Sequence, residues 1–182
     1  MEKIINFFES KASIRNVIIG LMLIVMFNTF FLPFLPSMLW DFHLPLDKIL
    51  DLKFSYDANS IYSLFDELGT KGRNSYKMTA LFIDFPYALI YSFTYGLIVY
   101  MLLKANELLK YKYLLFIPLL IGIFDVFENL GIAMMLHSYP VKLATLSSLT
   151  PNFTSLKWIF SAITFILIMG NILIYSFRKM KN

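Results

Sequence analysis

Four long apolar segments constrain this chain more than any other feature. A helix that crosses a lipid bilayer needs about 20 consecutive apolar residues, and four stretches of the sequence reach that length. Composition agrees, because 58% of the 182 residues are hydrophobic and 15% are charged, against roughly 25% charged residues in an average soluble domain. The sequence therefore predicts an all-α, single-domain integral membrane four-helix bundle, with spans at about 16–39, 78–103, 113–136 and 158–177.

Basic residues near the ends of these segments predict their orientation. Lys and Arg are enriched on the cytoplasmic side of membrane proteins. Here they cluster before span one, between spans two and three, and after span four. We therefore expect a multi-pass protein of the cell membrane with both termini in the cytoplasm and the loop 41–77 outside. The excess of 16 basic over 12 acidic residues is small and belongs to these span ends, so no nucleic-acid partner is expected.

The long loop contains a helix signal of its own. In DANSIYSLFDELG, Asp57 is a candidate N-cap, Gly69 a candidate stop, and the apolar residues between them share one helical face. We expect this amphipathic helix to cover the outer mouth of the bundle. Gly69 and Gly72 then allow a sharp turn into span two. We predict that Arg73, which follows, points toward a pocket and pairs with Asp84 or with an anionic group of a ligand.

Three carboxylates interrupt the apolar spans. Asp84 lies in span two, and the stretch FDVFENLG places Asp125 and Glu128 in span three. Each costs about 2.5 kcal/mol or more in lipid, so each is a candidate functional group. Helical spacing puts Asp125, Glu128 and Asn129 on one face, and the rise of about 1.5 Å per residue brings Glu128 to the level of Asp84. We predict one pocket in which Asp84, Asp125 and Glu128 are the candidate catalytic groups.

Neutral polar side chains extend the predicted pocket. Tyrosines of span two repeat on the same helical face as Asp84, and spans three and four add an amide and two hydroxyls. Pro86 removes a backbone hydrogen bond, which predicts a kink in span two beside Asp84. Asn, Ser, Thr and Tyr also join spans by hydrogen bonds, so packing alone remains an alternative for them. The predicted ligand-binding residues are Arg73, Tyr76, Tyr87, Tyr91, Asn129, Ser161 and Thr164.

No basic residue is expected deep enough in a span to neutralise these acids. Arg73 and Lys77 belong to the rim of span two. At least one carboxyl group should then be protonated or paired with a bound cation, which suits general acid chemistry, proton-coupled movement or the binding of a cationic amphiphile. Cys is absent, and the two histidines, His43 and His137, lack the spacing of metal ligands. We expect no metal and no cofactor.

Two segments also resemble a known group of proteins. GTKGRNSY is followed by Asp84 near Pro86, and DVFENLG follows in span three. Gly-x-x-Gly-Arg-x-x-Tyr combined with Asp-x-x-Glu-Asn resembles a family of small four-span prokaryotic integral membrane proteins, over most of the chain. The resemblance implies that the polar cluster is one unit, and it implies no substrate. The layout alone is similar to the sigma-2 receptor and emopamil-binding group, where buried acids face a sterol-sized pocket.

These features together predict a membrane pocket protein that binds or processes a lipid or an amphiphilic small molecule. The expected partners are membrane lipids and a hydrophobic or amphiphilic small molecule, and a homo-oligomer stays open. Two alternatives also remain open. One is a small proton-coupled transporter or oligomeric channel, and the other is a structural or assembly protein without a ligand. Whether the protein is an enzyme is not decided by the sequence.

Overall fold

The computed structural model describes residues 1–40, 45 and 48–181. The regular structure of these residues is helical, and no strand occurs among them. Among the described residues, four helices are long and apolar enough to cross a membrane, which confirms the predicted number. They are Ile14–Trp40, Ala58–Ala105, Leu109–Ser138 and Ala144–Met180. We call them the first to fourth long helices. His43 lies outside the described residues.

The first long helix follows a short helix, α1 (Glu2–Lys11). It consists of α2 (Ile14–Met26), a π-helical turn (Phe27–Phe31) and α3 (Leu32–Trp40), which contains Pro36. Ser13 caps α2 by accepting a hydrogen bond from the backbone N–H of Asn16. The apolar residues of α1 pack against the second long helix, where Gly96 leaves space for the ring of Phe8.

The second long helix contains both predicted irregularities. It begins with α4 (Ala58–Thr79), whose N-cap Asp57 accepts a hydrogen bond of 2.7 Å from the backbone N–H of Ser60. Gly69 has a φ of 60° and a ψ of −178°, so the chain turns where a residue without a side chain is favoured. A π-helical turn (Ala80–Asp84) then leads into α5 (Phe85–Ala105), whose second residue is Pro86. The turn at Gly69 is therefore confirmed, and the helix is π-helical beside Asp84, where the kink was predicted.

The third and fourth long helices pack closely together. A 3₁₀ segment (Leu109–Leu115) precedes α6 (Phe116–Ser138), and α7 (Ala144–Lys181) is continuous through Pro151. Helix α7 therefore begins well before residue 158, where span four was predicted to begin. At Gly131 an added Cβ would lie 2.3 Å from the hydroxyl of Thr150, so the absence of a side chain permits this close approach of α6 and α7.

The arrangement of the helices leaves one side loosely packed. Helix α6 packs against both α5 and α7, and α2 packs against α5. Packing of α3 against α7 is sparse within the part of the chain that the structure describes. A 3₁₀ turn (Leu50–Leu52) places Leu50 in a core formed with α4 and α6. The space between α3 and α7 is where the candidate site lies.

Candidate functional site

A cavity of about 730 Å³ lies among the four long helices and the segment before α4. Its lining is polar on one side, where Asp51, Asp84, Asp125 and Lys157 meet. Elsewhere it is aromatic and aliphatic, from α3, the 3₁₀ turn and α7. The volume falls in the range of about 300–1,000 Å³ that is typical of small-molecule sites. The apolar lining residues include Leu32, Pro33, Pro36, Leu52, Phe165 and Ile168.

One buried lysine joins the acids of this site. The ammonium group of Lys157 lies 2.7 Å from Oε2 of Glu128, 3.1 Å from Oδ1 of Asp125 and 3.7 Å from Oδ2 of Asp51. Lys157 is only 6% exposed. A buried charge is tolerated when it is paired in this way. The expectation that no basic residue lies deep enough to neutralise the three acids is therefore wrong for Asp125 and Glu128, which Lys157 contacts.

Glu128 is enclosed by protein on every side. Its other carboxylate oxygen, Oε1, accepts a hydrogen bond of 2.6 Å from the Thr154 hydroxyl and one of 3.2 Å from Tyr56. Burial raises the pKa of the Tyr56 phenol above its usual value, and the charge of Glu128 raises it further. Tyr56 therefore stays protonated and acts as a donor. Glu128 is 0% exposed and is not among the cavity-lining residues, so its geometry is that of a partner that holds Lys157.

Asp125 has both the lysine and the cavity as neighbours. It accepts a hydrogen bond of 2.7 Å from the Tyr91 hydroxyl, and the amide of Asn129 lies 3.5 Å from its other oxygen. Tyr91, Asn129 and Asp125 all line the cavity. The polar face of α6 that was predicted from the FDVFENLG spacing thus exists. Asp125 faces the cavity, whereas Glu128 lies behind the cavity wall.

The segment before α4 covers this end of the cavity, and we call residues 49–56 the strap. The indole N–H of Trp158 donates to the backbone carbonyls of Asp51 and Lys53, at 3.2 and 3.1 Å. The backbone N–H of Leu50 donates to the Tyr76 hydroxyl at 3.1 Å. These bonds anchor the strap to α7 and α4, and they direct the Asp51 side chain toward Lys157.

Eight of the ten predicted site residues line the cavity. They are Tyr76, Asp84, Tyr87, Tyr91, Asp125, Asn129, Ser161 and Thr164. Glu128 lies behind this surface, as described. Arg73 does not line it either: its guanidinium stacks 4.2 Å from the ring centre of Tyr139 and donates to the backbone carbonyl of Phe65. The predicted pair between Arg73 and Asp84 is not formed, because Arg73 instead joins the start of the second long helix to the end of the third.

Sequence reasoning missed two residues of the site, Asp51 and Lys157. The strap was expected to be part of an outer loop, so nothing in the sequence indicated that Asp51 would lie near the buried acids. Lys157 precedes the predicted start of span four and follows a polar stretch that contains Pro151. The structure continues α7 through that stretch for thirteen residues before Lys157. At about 1.5 Å per residue, the lysine lies roughly 20 Å from the helix start.

Carboxylate oxygens of Asp51, Asp84 and Asp125 lie within 4.8 Å of one another, which is a spacing that can hold a metal ion. The ammonium of Lys157 lies within 4 Å of two of these acids and opposes a divalent cation there. His137 lies elsewhere, beside a second cavity of about 390 Å³. Comparisons with models of known protein families, with curated protein sequences and with solved structures found no match.

Proposed function

We propose that this chain is a multi-pass membrane protein whose cavity binds a lipid or an amphiphilic small molecule. The observation that carries the proposal is the cavity itself, which combines a charged end with an apolar wall. An amphiphile has the same two parts, and each part of the site matches one of them. Asp84 and Asp125 would contact the polar head, whereas the apolar residues of α3 and α7 would contact the tail.

The outer surface of the long helices supports placement in a membrane. Large apolar side chains are exposed along α2 and α7, for example Met22 at 66%, Ile166 at 69% and Leu173 at 55%. Soluble proteins rarely expose continuous apolar surface of this extent. In a bilayer these residues contact lipid, and the four long helices form the predicted bundle.

The sparse packing between α3 and α7 suggests how a ligand enters. Pro33 and Pro36 line the cavity from one side of this gap, and Phe165 and Ile168 line it from the other. In a bilayer such a gap opens sideways to the lipid. An amphiphile could then reach the charged end from the membrane without passing through water.

The orientation of the proposed membrane protein can be tested with a single cysteine, because the native chain has none. Both termini are expected in the cytoplasm, so Ser63 in α4 should face outside. An impermeant maleimide should label Ser63→Cys in intact cells. Labelling only after lysis would reverse the orientation, and it would place the charged end of the cavity near the cytoplasm.

Ligand binding can be tested by filling the cavity. Ser161 lines it, and Ser161→Phe should occupy the space of the ligand. Ser148→Phe introduces the same ring on an exposed position of the same helix and is the matched control. The protein is extracted in a gentle detergent, and co-purified lipids and small amphiphiles are quantified by mass spectrometry.

We expect the wild type and Ser148→Phe to carry a specific amphiphile near one per chain, and Ser161→Phe to carry at least fivefold less. Equal amounts in all three proteins would show that the bound molecules lie outside the cavity. An unliganded wild-type protein would contradict the proposal and favour the structural alternative.

A further inference from the structure

The charged end of the cavity contains more acids than bases. Asp51, Asp84 and Asp125 lie together at this end, and Glu128 lies behind the cavity wall, whereas Lys157 supplies one ammonium group. Lys157 contacts three of these carboxylates, and its shortest distances are to Glu128 and Asp125. When all four acids are ionised, three negative charges remain without a cation. The site is therefore suited to a positively charged group.

Asp84 is the acid without a protein partner. Within the described parts of the chain, no hydrogen bond or ion pair reaches its side chain, although it lies beside Asp51 and Asp125. Its carboxylate also lines the cavity. A carboxylate away from bulk water is costly unless a hydrogen bond or an opposite charge offsets the burial. A ligand in the cavity can supply that partner.

A second unpaired polar group lines the same cavity. The hydroxyl of Thr164 is buried, with the residue 2% exposed, and it has no hydrogen-bond partner. In helices this hydroxyl commonly donates to the carbonyl four residues earlier, and here it does not. Thr164 is independent of the acids, because it lies two helical turns beyond Lys157 on α7. Its hydroxyl oxygen is itself enclosed by protein, so this unpaired group lies within the cavity wall rather than on the open surface of the cavity.

On the basis of the proposed function, we propose that the head of the amphiphile is a protonated amine that binds Asp84 between Asp51 and Asp125. An ammonium group offers up to three N–H donors, which matches three nearby carboxylates. An anionic head would instead be repelled by the same acids. A divalent cation is disfavoured because Lys157 contacts two of its three ligands.

Aromatic residues beside the acids also favour an organic cation. Tyr87, Tyr91 and Trp158 line the cavity, and aromatic faces attract cations that have lost their water. Tyr87 stacks on Phe27 with an interplanar angle of 12°, and it contacts Tyr91 edge to face. These contacts hold the rings in place around the head group.

Three probes with one tail and different heads test this inference: hexadecylamine, hexadecanol and hexadecanoic acid. Binding of each to the detergent-purified full chain is measured by native mass spectrometry. We expect the amine to bind at least tenfold more tightly than the alcohol, and the acid to bind more weakly than the alcohol. Asp84→Asn should lower the affinity for the amine at least tenfold and leave the affinity for the alcohol within twofold. Asp66→Asn, an acid outside the cavity, is the matched control.

The possible failures are distinguishable. If none of the three probes binds, the proposed function fails together with this inference. If the alcohol or the acid binds as tightly as the amine, the proposal that the cavity binds an amphiphile is supported, and the preference for a cationic head group is refuted. Each protein is also titrated with Mg²⁺, Ca²⁺ and Mn²⁺ without an amphiphile. If the wild type binds a metal ion, Asp84→Asn does not, and the amine is not preferred over the other probes, then the site binds a metal ion and the inference of an amine head group is refuted.

Discussion

Replacing Lys157 by methionine should be among the most damaging single substitutions in this protein. Methionine keeps most of the side-chain volume and removes the charge. The ammonium is buried and contacts Asp51, Asp125 and Glu128. Removal of one partner from a buried ion pair typically costs about 3–5 kcal/mol, because the other charge stays buried and uncompensated. We expect the free energy of unfolding to fall by about that amount at neutral pH.

The loss can be measured by titrating the purified protein from mild detergent into SDS and following helix content by circular dichroism. Lys104→Met removes a charge from an exposed residue at the end of α5 and should change the unfolding free energy by no more than about 0.5 kcal/mol. Adding Glu128→Gln to Lys157→Met should recover part of the loss, with a coupling of about 0.5–3 kcal/mol. The loss should also shrink at low pH, because protonated carboxyl groups need no cation.

Two results would refute this reasoning. If Lys157→Met unfolds at the same SDS fraction as Lys104→Met, the four charges are not paired in the folded protein. If the losses from Lys157→Met and Glu128→Gln simply add, the 2.7 Å contact between these residues contributes nothing of its own.

Three further predictions test the charged site, the helix packing and the loop helix. Asp84→Asn should raise the unfolding free energy by about 1 kcal/mol, measured in the same SDS titration, because it removes a like charge beside two other acids. Gly122→Ala should cost about 1–3 kcal/mol, since the new Cβ would lie 2.9 Å from a backbone oxygen of α5, whereas Gly170→Ala, with open space around it, should cost nothing. The hydrogen bond from the backbone N–H of Ser60 lowers the pKa of Asp57 below its usual value. The cap therefore stabilises α4 fully above the unfolded pKa of about 3.9, and this stabilisation is lost as the pH falls through the pKa of Asp57 in the folded protein. Amide hydrogen exchange at the start of α4 should therefore accelerate in acid. Asp57→Asn should remove this pH dependence.

Much of the scaffold could be predicted because its signals are local. Twenty or more apolar residues identify a long helix, Asp57 marks the start of α4, and Gly69 marks a turn that other residues adopt with strain. Asp84 and Asp125 were expected to share a pocket, because helical periodicity gives the face of each residue and the rise per residue gives its depth. Both residues line the cavity.

The unpredicted part of the site depends on tertiary contacts. Asp51 lies in a short 3₁₀ turn, and its position depends on two hydrogen bonds with residues distant in sequence. Trp158 donates to the backbone carbonyl of Asp51, and the Tyr76 hydroxyl accepts from the backbone N–H of Leu50. Lys157 was misplaced because Pro151 and the polar residues around it are typical of a loop. The structure accommodates that proline within α7, where packing against α6 outweighs a weak local preference.

Substitutions of Lys157 and of the unpaired Asp84 should have opposite effects on the stability of the protein. In a cluster that served only to hold helices together, each acid would have a partner, and every substitution in it would destabilise the fold. Here Lys157 is paired three times and Asp84 is left open to the cavity. A protein that keeps a carboxyl group in its interior without a partner gives up stability, which is the pattern expected at a binding site. Loss of stability in Lys157→Met, together with a gain in Asp84→Asn, therefore argues for a ligand even before the ligand is identified.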